Sequence, residues 1–181
     1  GHARQRDAQQ VRPRADVDAD GRHDGQRGGQ HGGQASGDIE LIRELNGVKF
    51  YNDSIASSPT RTIACLRCFT KVKPILIAGG HDKHIPFDDL GTEIVERVKA
   101  LYLTGETAER IKDAVLNTPG YNRLTLPIYI IDDFREAVIA AAGSAAEGDV
   151  VILSPACSSF DKFKNFVERG NTFRSIVLGL E

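Results

Sequence analysis

Cysteine is scarce in this chain, three residues in 181. An odd count with no apolar signal-peptide core argues for a reducing compartment rather than a disulfide framework. No apolar run approaches the roughly 20 residues that cross a bilayer, so no membrane span is expected and a cytoplasmic protein is. Lys and Arg number 23 against 25 Asp and Glu, which leaves no basic stripe for nucleic acid and no acidic tail. Histidine is absent after His84, so Cys157 has no neighbouring histidine in the sequence to serve it as a base. Neither GxGxxG nor GxxxxGK[ST] occurs, so the 181 residues carry no dinucleotide fingerprint and no ATP phosphate loop.

The length allows one ordinary domain plus an appendage. Residues 1–36 contain no Leu, Ile, Phe or Tyr and only two Val. Such a segment has too little apolar surface to offset the entropy of ordering it, so a disordered low-complexity tail is expected there. Its basic residues are all Arg and its acids all Asp, the look of a different reading frame joined to a genuine domain. A natural low-complexity extension is the alternative.

From Ile39 onward the pattern is α/β. Ile39 to Leu45 and Val48 to Tyr51 flank Asn46-Gly47, a two-residue hairpin signal. Helical periodicity begins after Pro59, with Ile63, Leu66 and Phe69 on one side. Strands are expected at Pro74–Ala78, Ala100–Thr104, Ile128–Ile131 and Val150–Leu153. Helices are expected at Asp88–Lys99, Thr107–Asn117, Phe134–Glu147 and Asp161–Leu178, the last broken near Gly170. Strands alternating with helices imply βαβ units and a mostly parallel, three-layer, Rossmann-like sheet with ligands beyond the strand carboxyl ends.

Three segments fall at those ends. Ser154-Pro155-Ala156-Cys157-Ser158-Ser159-Phe160-Asp161 follows the last strand and opens a helix, a turn whose N–H groups and hydroxyls suit an anion. Asn52-Asp53-Ser54 leads through Ile55-Ala56-Ser57-Ser58-Pro59 into another helix, where Asp and Ser also serve as plain turn and cap residues. Gly79-Gly80-His81-Asp82-Lys83-His84 is a glycine loop that on its own reads as solvated. His81 and His84 have no partner at metal spacing and receive no role. Phe160, Phe163 and Phe166 recur at helical spacing and are expected to give most of their area to the core. Cys157 reads as a small buried hydrophobe. Cys65-Leu66-Arg67-Cys68 matches CxxC, but within a helix and without a second pair, so it reads as structural.

In order and wording these three motifs closely resemble the C-terminal domain of the Mur ligases, in the branch that adds D-glutamate, over roughly residues 39–178. The resemblance implies a Mur ligase domain over 37–181 with Asn52 and Asp53 beside ATP. It implies that D-glutamate is held by Ser57, Lys83, Ser159 and the main chain of Phe166. The chemistry implied is ATP-dependent, Mg2+-assisted amide formation: the carboxylate of UDP-N-acetylmuramoyl-L-alanine is phosphorylated and the D-glutamate amine attacks. No catalytic residue and no metal ligand is carried over, since ATP and Mg2+ are bound mainly by domains outside these residues. A monomer, inactive by itself, is expected. Two departures stand out: Ile55 replaces a frequent Lys, and Gly37-Asp38-Ile39-Glu40 replaces His-Arg-x-Glu, putting a carboxylate where an Arg faces the nucleotide. The alternatives are another Mur ligase, a folylpolyglutamate synthase, or a stand-alone nucleotide- or anion-binding module.

Overall fold

The computed structural model describes residues 39–181. The expectations for residues 1–36 and for Asp38 lie outside them. The elements are β1 (Glu40–Leu45), β2 (Val48–Asn52), α1 (Pro59–Leu66), β3 (Ile75–Ala78), α2 (Asp88–Arg97), β4 (Ala100–Leu103), α3 (Ala108–Leu116), β5 (Ile128–Ile130), α4 (Phe134–Ser144), β6 (Val150–Leu153) and α5 (Phe166–Leu178). One six-stranded sheet has the order β1-β2-β6-β3-β4-β5. Only the β1–β2 pair is antiparallel. Its turn is Asn46-Gly47, at φ 52° and 77°, the positive values that a hairpin turn matching strand twist requires.

Burial on both faces explains why the central strands are short apolar runs, every residue of β3, β4 and β6 being buried. Alternate side chains serve alternate layers. Leu76, Leu101 and Ile152 pack with Leu66, Leu90, Ile94, Ile111 and Val115 from α1, α2 and α3. Ile75, Ile77, Val151 and Leu153 pack with Phe134, Val138, Phe173 and Val177 from α4 and α5. The expected three-layer architecture is therefore observed.

The last helix differs from expectation in two ways. It starts at Phe166, not Asp161, and it runs unbroken through Gly170. Asn165 sets the start: its Oδ1 accepts from the Glu168 N–H at 2.9 Å as an N-cap, and the Glu168 carboxylate reaches back to accept from the N–H of the preceding residue, Lys164, at 2.6 Å. Gly170 is there for closeness rather than for a bend, since a Cβ would stand 3.2 Å from Asn52 Nδ2 and Ser54 Cβ. Phe160, Phe163 and Phe166 consequently share no helical face. Phe160 is 65% and Phe166 41% exposed, and Phe163 packs edge-on against Phe134. Of the CxxC pair, Cys65 lies buried in α1 with its thiol pushed well up by burial. Cys68 stands beyond the helix end, its Sγ donating to Ala64 O.

Candidate functional site

Strands β2, β6 and β3 are parallel neighbours, so the segments after Asn52, Leu153 and Ala78 emerge side by side at one end of the sheet. This is where a ligand is expected in an open α/β sheet. All three sequence motifs are these segments.

A buried arginine ties the first to the second. Arg169, on α5 and 2% exposed, donates through Nε to Ser54 Oγ at 3.0 Å, through Nη2 to Ser54 O at 2.8 Å and through Nη1 to Cys157 O at 2.9 Å. Burial presses its pKa down to about 10; the three acceptors hold the charge there. The third segment docks through its backbone, Gly79 N–H to Pro155 O and His81 N–H to Ser158 O, both at 2.9 Å, and Thr107 Oγ1 bridges Gly80 to Cys157 Sγ. Glycine permits this approach, because a Cβ on Gly80 would sit 2.4 Å from Ser158 O. Between these pins Ala156 takes φ 61°, a left-handed conformation that an L side chain holds only when its surroundings dictate it.

Ser57, Lys83, Ser159 and Phe166 line one pocket of about 540 Å³, together with Ile55, Ser58, Arg61, Ser158, Phe160 and Asn165. No acid lines it. Its charged side chains are Arg61 and Lys83, and among the described residues neither forms an ion pair. An anion is the complement of such a pocket. The Phe166 carbonyl is occupied, accepting from Ser54 Oγ at 2.7 Å, while its N–H stands at the first position of α5, among the amides that a helix start leaves without an intrahelical partner.

Ile55 and Phe166 also border a second groove of about 340 Å³, lined by Glu40, Asn52, Asp53, Ser54, Val167, Gly170, Asn171 and Arg174. Asn52 donates to Glu40 Oε2 at 3.2 Å and accepts from the Ser54 N–H at 3.1 Å. Arg174 pairs with Glu40, and that hydrogen bond holds the Glu40 carboxyl below its ordinary value against burial. Asp53 is 6% exposed, with Oδ2 accepting from Ser154 Oγ at 2.8 Å.

Sequence reasoning missed Arg169, Arg61 and Ser158, and it left His81 without a partner. Glu106, on the loop before α3, supplies one: its Oε2 lies 2.8 Å from His81 Nδ1 and accepts from the Asp82 N–H at 3.1 Å. No pattern near His81 announces a partner 25 residues away. Among the described residues no group of three His, Cys, Asp or Glu could hold a metal ion. Cys157 is buried as expected, its thiol pushed up to about 11 by burial, which leaves it no thiolate to react.

The family model for the Mur ligase, glutamate ligase domain matches residues 39–157. The chain is 55% identical over 141 residues to the UDP-N-acetylmuramoylalanine--D-glutamate ligase of Clostridium novyi (strain NT), covering 78% of this chain and 31% of that protein. It is 57% identical over 145 residues to the ligase of the same name from Acetivibrio thermocellus, covering 79% and 31%. The chain thus spans about a third of the length of these relatives. Among solved structures, a UDP-N-acetylmuramoyl-L-alanyl-D-glutamate--2,6-diaminopimelate ligase shares the fold at a TM-score of 0.53 and 17% identity, over 81% of this chain and 33% of that one. The chain belongs to the Mur ligase family and carries its C-terminal, glutamate ligase domain.

Proposed function

We propose that this domain holds D-glutamate for an ATP-dependent ligase that joins it to UDP-N-acetylmuramoyl-L-alanine in peptidoglycan synthesis. One observation carries the reading: Ser57, Lys83, Ser159 and Phe166, drawn from all three motif segments and α5, converge on a pocket whose only charged side chains are cations. Lys83 offers a point charge with rotatable donors to one carboxylate, the two serines add hydroxyl donors, and the Phe166 N–H sits at the positive end of α5. Arg61 is a second cation at the pocket for a ligand with two carboxylates. Holding the amino acid in one orientation contributes to rate by positioning, with no group of this domain entering the bond changes.

The second groove suits the ribose side of a nucleotide. Gly170 keeps its floor open where a Cβ would crowd Asn52, and Asn52 and Asp53 are the residues that would hold the sugar. ATP supplies the phosphoryl group that activates the acceptor carboxylate. In this reading Mg2+ and the triphosphate are held by the part of the ligase that the relatives carry beyond this domain, and this chain by itself does not turn over. The test is a titration of the chain with D-glutamate followed by amide NMR. Shifts are expected at Ser57, Lys83, Ser159 and Phe166, and much weaker ones with D-glutamine, which lacks the second charge. Absence of any shift at these amides contradicts the reading.

A further inference from the structure

Among the described residues, one hydroxyl at this end of the sheet is both shut off from water and without a partner. The buried hydroxyls of Ser54, Thr62, Thr104, Thr107 and Ser154 all have partners. Ser158 does not: the residue is 4% exposed, and its Oγ is shut off from water with no hydrogen-bond partner. A buried hydroxyl left unsatisfied is destabilising, so its presence calls for a reason. The neighbouring backbone is pinned on both sides. Cys157 O is taken by Arg169, Ser158 O by the His81 N–H, and Ser159 O by the Lys162 and Phe163 N–H groups at 3.1 and 2.8 Å. The residue lines the pocket that also holds Lys83 and Ser159.

We infer that Ser158 is a further ligand-binding residue of this pocket, its Oγ donating a hydrogen bond to a carboxylate oxygen of the bound acidic amino acid. Rotation about the Cα–Cβ bond, open to serine in three staggered wells, turns the hydroxyl from its closed position toward the pocket without moving the backbone. A carboxylate rewards that rotation more than a neutral acceptor does, because hydrogen bonds to charged groups are the stronger ones. The pinned main chain makes the donor preorganised, so little ordering accompanies binding.

The inference rests on the D-glutamate reading of the pocket, and two variants separate them. D-glutamate is titrated into the full chain, its Ser158→Ala variant and its Lys83→Ala variant, with amide shifts giving the dissociation constants. Ser158→Ala is expected to weaken binding about tenfold or more while the ligand-free melting temperature stays level or rises, since an orphaned hydroxyl is removed. Unchanged affinity in Ser158→Ala beside a large loss in Lys83→Ala overturns the role of Ser158 and keeps the pocket. Absence of D-glutamate binding by the unaltered chain overturns both. A fall in melting temperature for Ser158→Ala would show that the hydroxyl has a structural partner, and that also overturns the inference.

Discussion

Arg169→Ala removes a buried side chain that bonds the first and second motif segments at once. Its loss orphans two buried carbonyls, Ser54 O and Cys157 O, while Ser54 Oγ keeps its bond to Phe166 O. Two unsatisfied acceptors cost about 4 kcal/mol together, and the lost packing of a large side chain adds about 3. Against this stands the cost of burying the guanidinium charge. A pKa pressed down to about 10 means the folded state disfavours the charged form, by about 3 kcal/mol at 1.4 per unit. Below pH 10 both states are charged and that cost is fully present; it fades only as pH rises above 10 toward the ordinary guanidinium value. The net is about 4 kcal/mol of lost stability at neutral pH. Urea unfolding followed by far-UV circular dichroism reads it directly: with a slope of about 2 kcal/mol per molar, the midpoint falls by about 2 M. Arg169→Lys should recover little, because one ammonium cannot span both carbonyls as a guanidinium fork does. A midpoint within about 0.5 M of the parent would refute the assignment of Arg169 as the pin between the segments.

Gly79→Ala is expected to cost more than about 3 kcal/mol in the same assay, or to abolish soluble expression, since Gly79 has φ 108° and a Cβ would stand 2.0 Å from Thr104 O; a parent-like midpoint contradicts this. Asp161 has a carboxyl held above its ordinary value by burial, with Glu106 adding repulsion, and its Oδ2 has no partner. A raised acid pKa is a cost present above the folded value and gone below the unfolded 3.8, so Asp161→Asn should raise the melting temperature at pH 7 and lose that gain near pH 3. An equal gain at both pH values would show that charge is not its source.

Local signals wrote most of the fold. Asn46-Gly47 specifies a turn that needs two positive φ values, and the strands after Pro74, Lys99 and Asp149 are short apolar runs, so their positions and their mostly parallel pairing are legible, while the strand order is not. The end of the chain misled because Phe160, Phe163 and Phe166 happen to be spaced as on a helix, whereas the capping pair Asn165 and Glu168 fixes the start later. That pair was present to be read. Gly170 misled for the opposite reason: its intrinsic helix penalty is real, but a close contact with Asn52 and Ser54 outweighs it. Within the site, the pocket residues are legible through resemblance, since nothing in the spacing of Ser57, Lys83 and Ser159 says that they meet. Arg169, Ser158 and the His81–Glu106 pair were not legible at all, because their partners lie from 12 to 115 residues away or, for the Ser158 hydroxyl, are missing from the domain.

The central claim is that this domain chooses the amino acid, and the measurement that tests it most directly uses a ligase in which the remaining two thirds are supplied. Residues 39–181 are grafted in place of the matching domain of the Clostridium novyi relative, and Michaelis constants for D-glutamate and ATP are measured with and without Lys83→Ala. One charge-assisted hydrogen bond to a carboxylate is worth roughly 1.5–3 kcal/mol, which predicts a ten- to hundredfold rise in the D-glutamate constant at about 1.4 kcal/mol per factor of ten. The ATP constant should move less than about twofold, because Lys83 does not line the groove of Asn52 and Asp53. An unchanged D-glutamate constant at unchanged turnover would contradict the account.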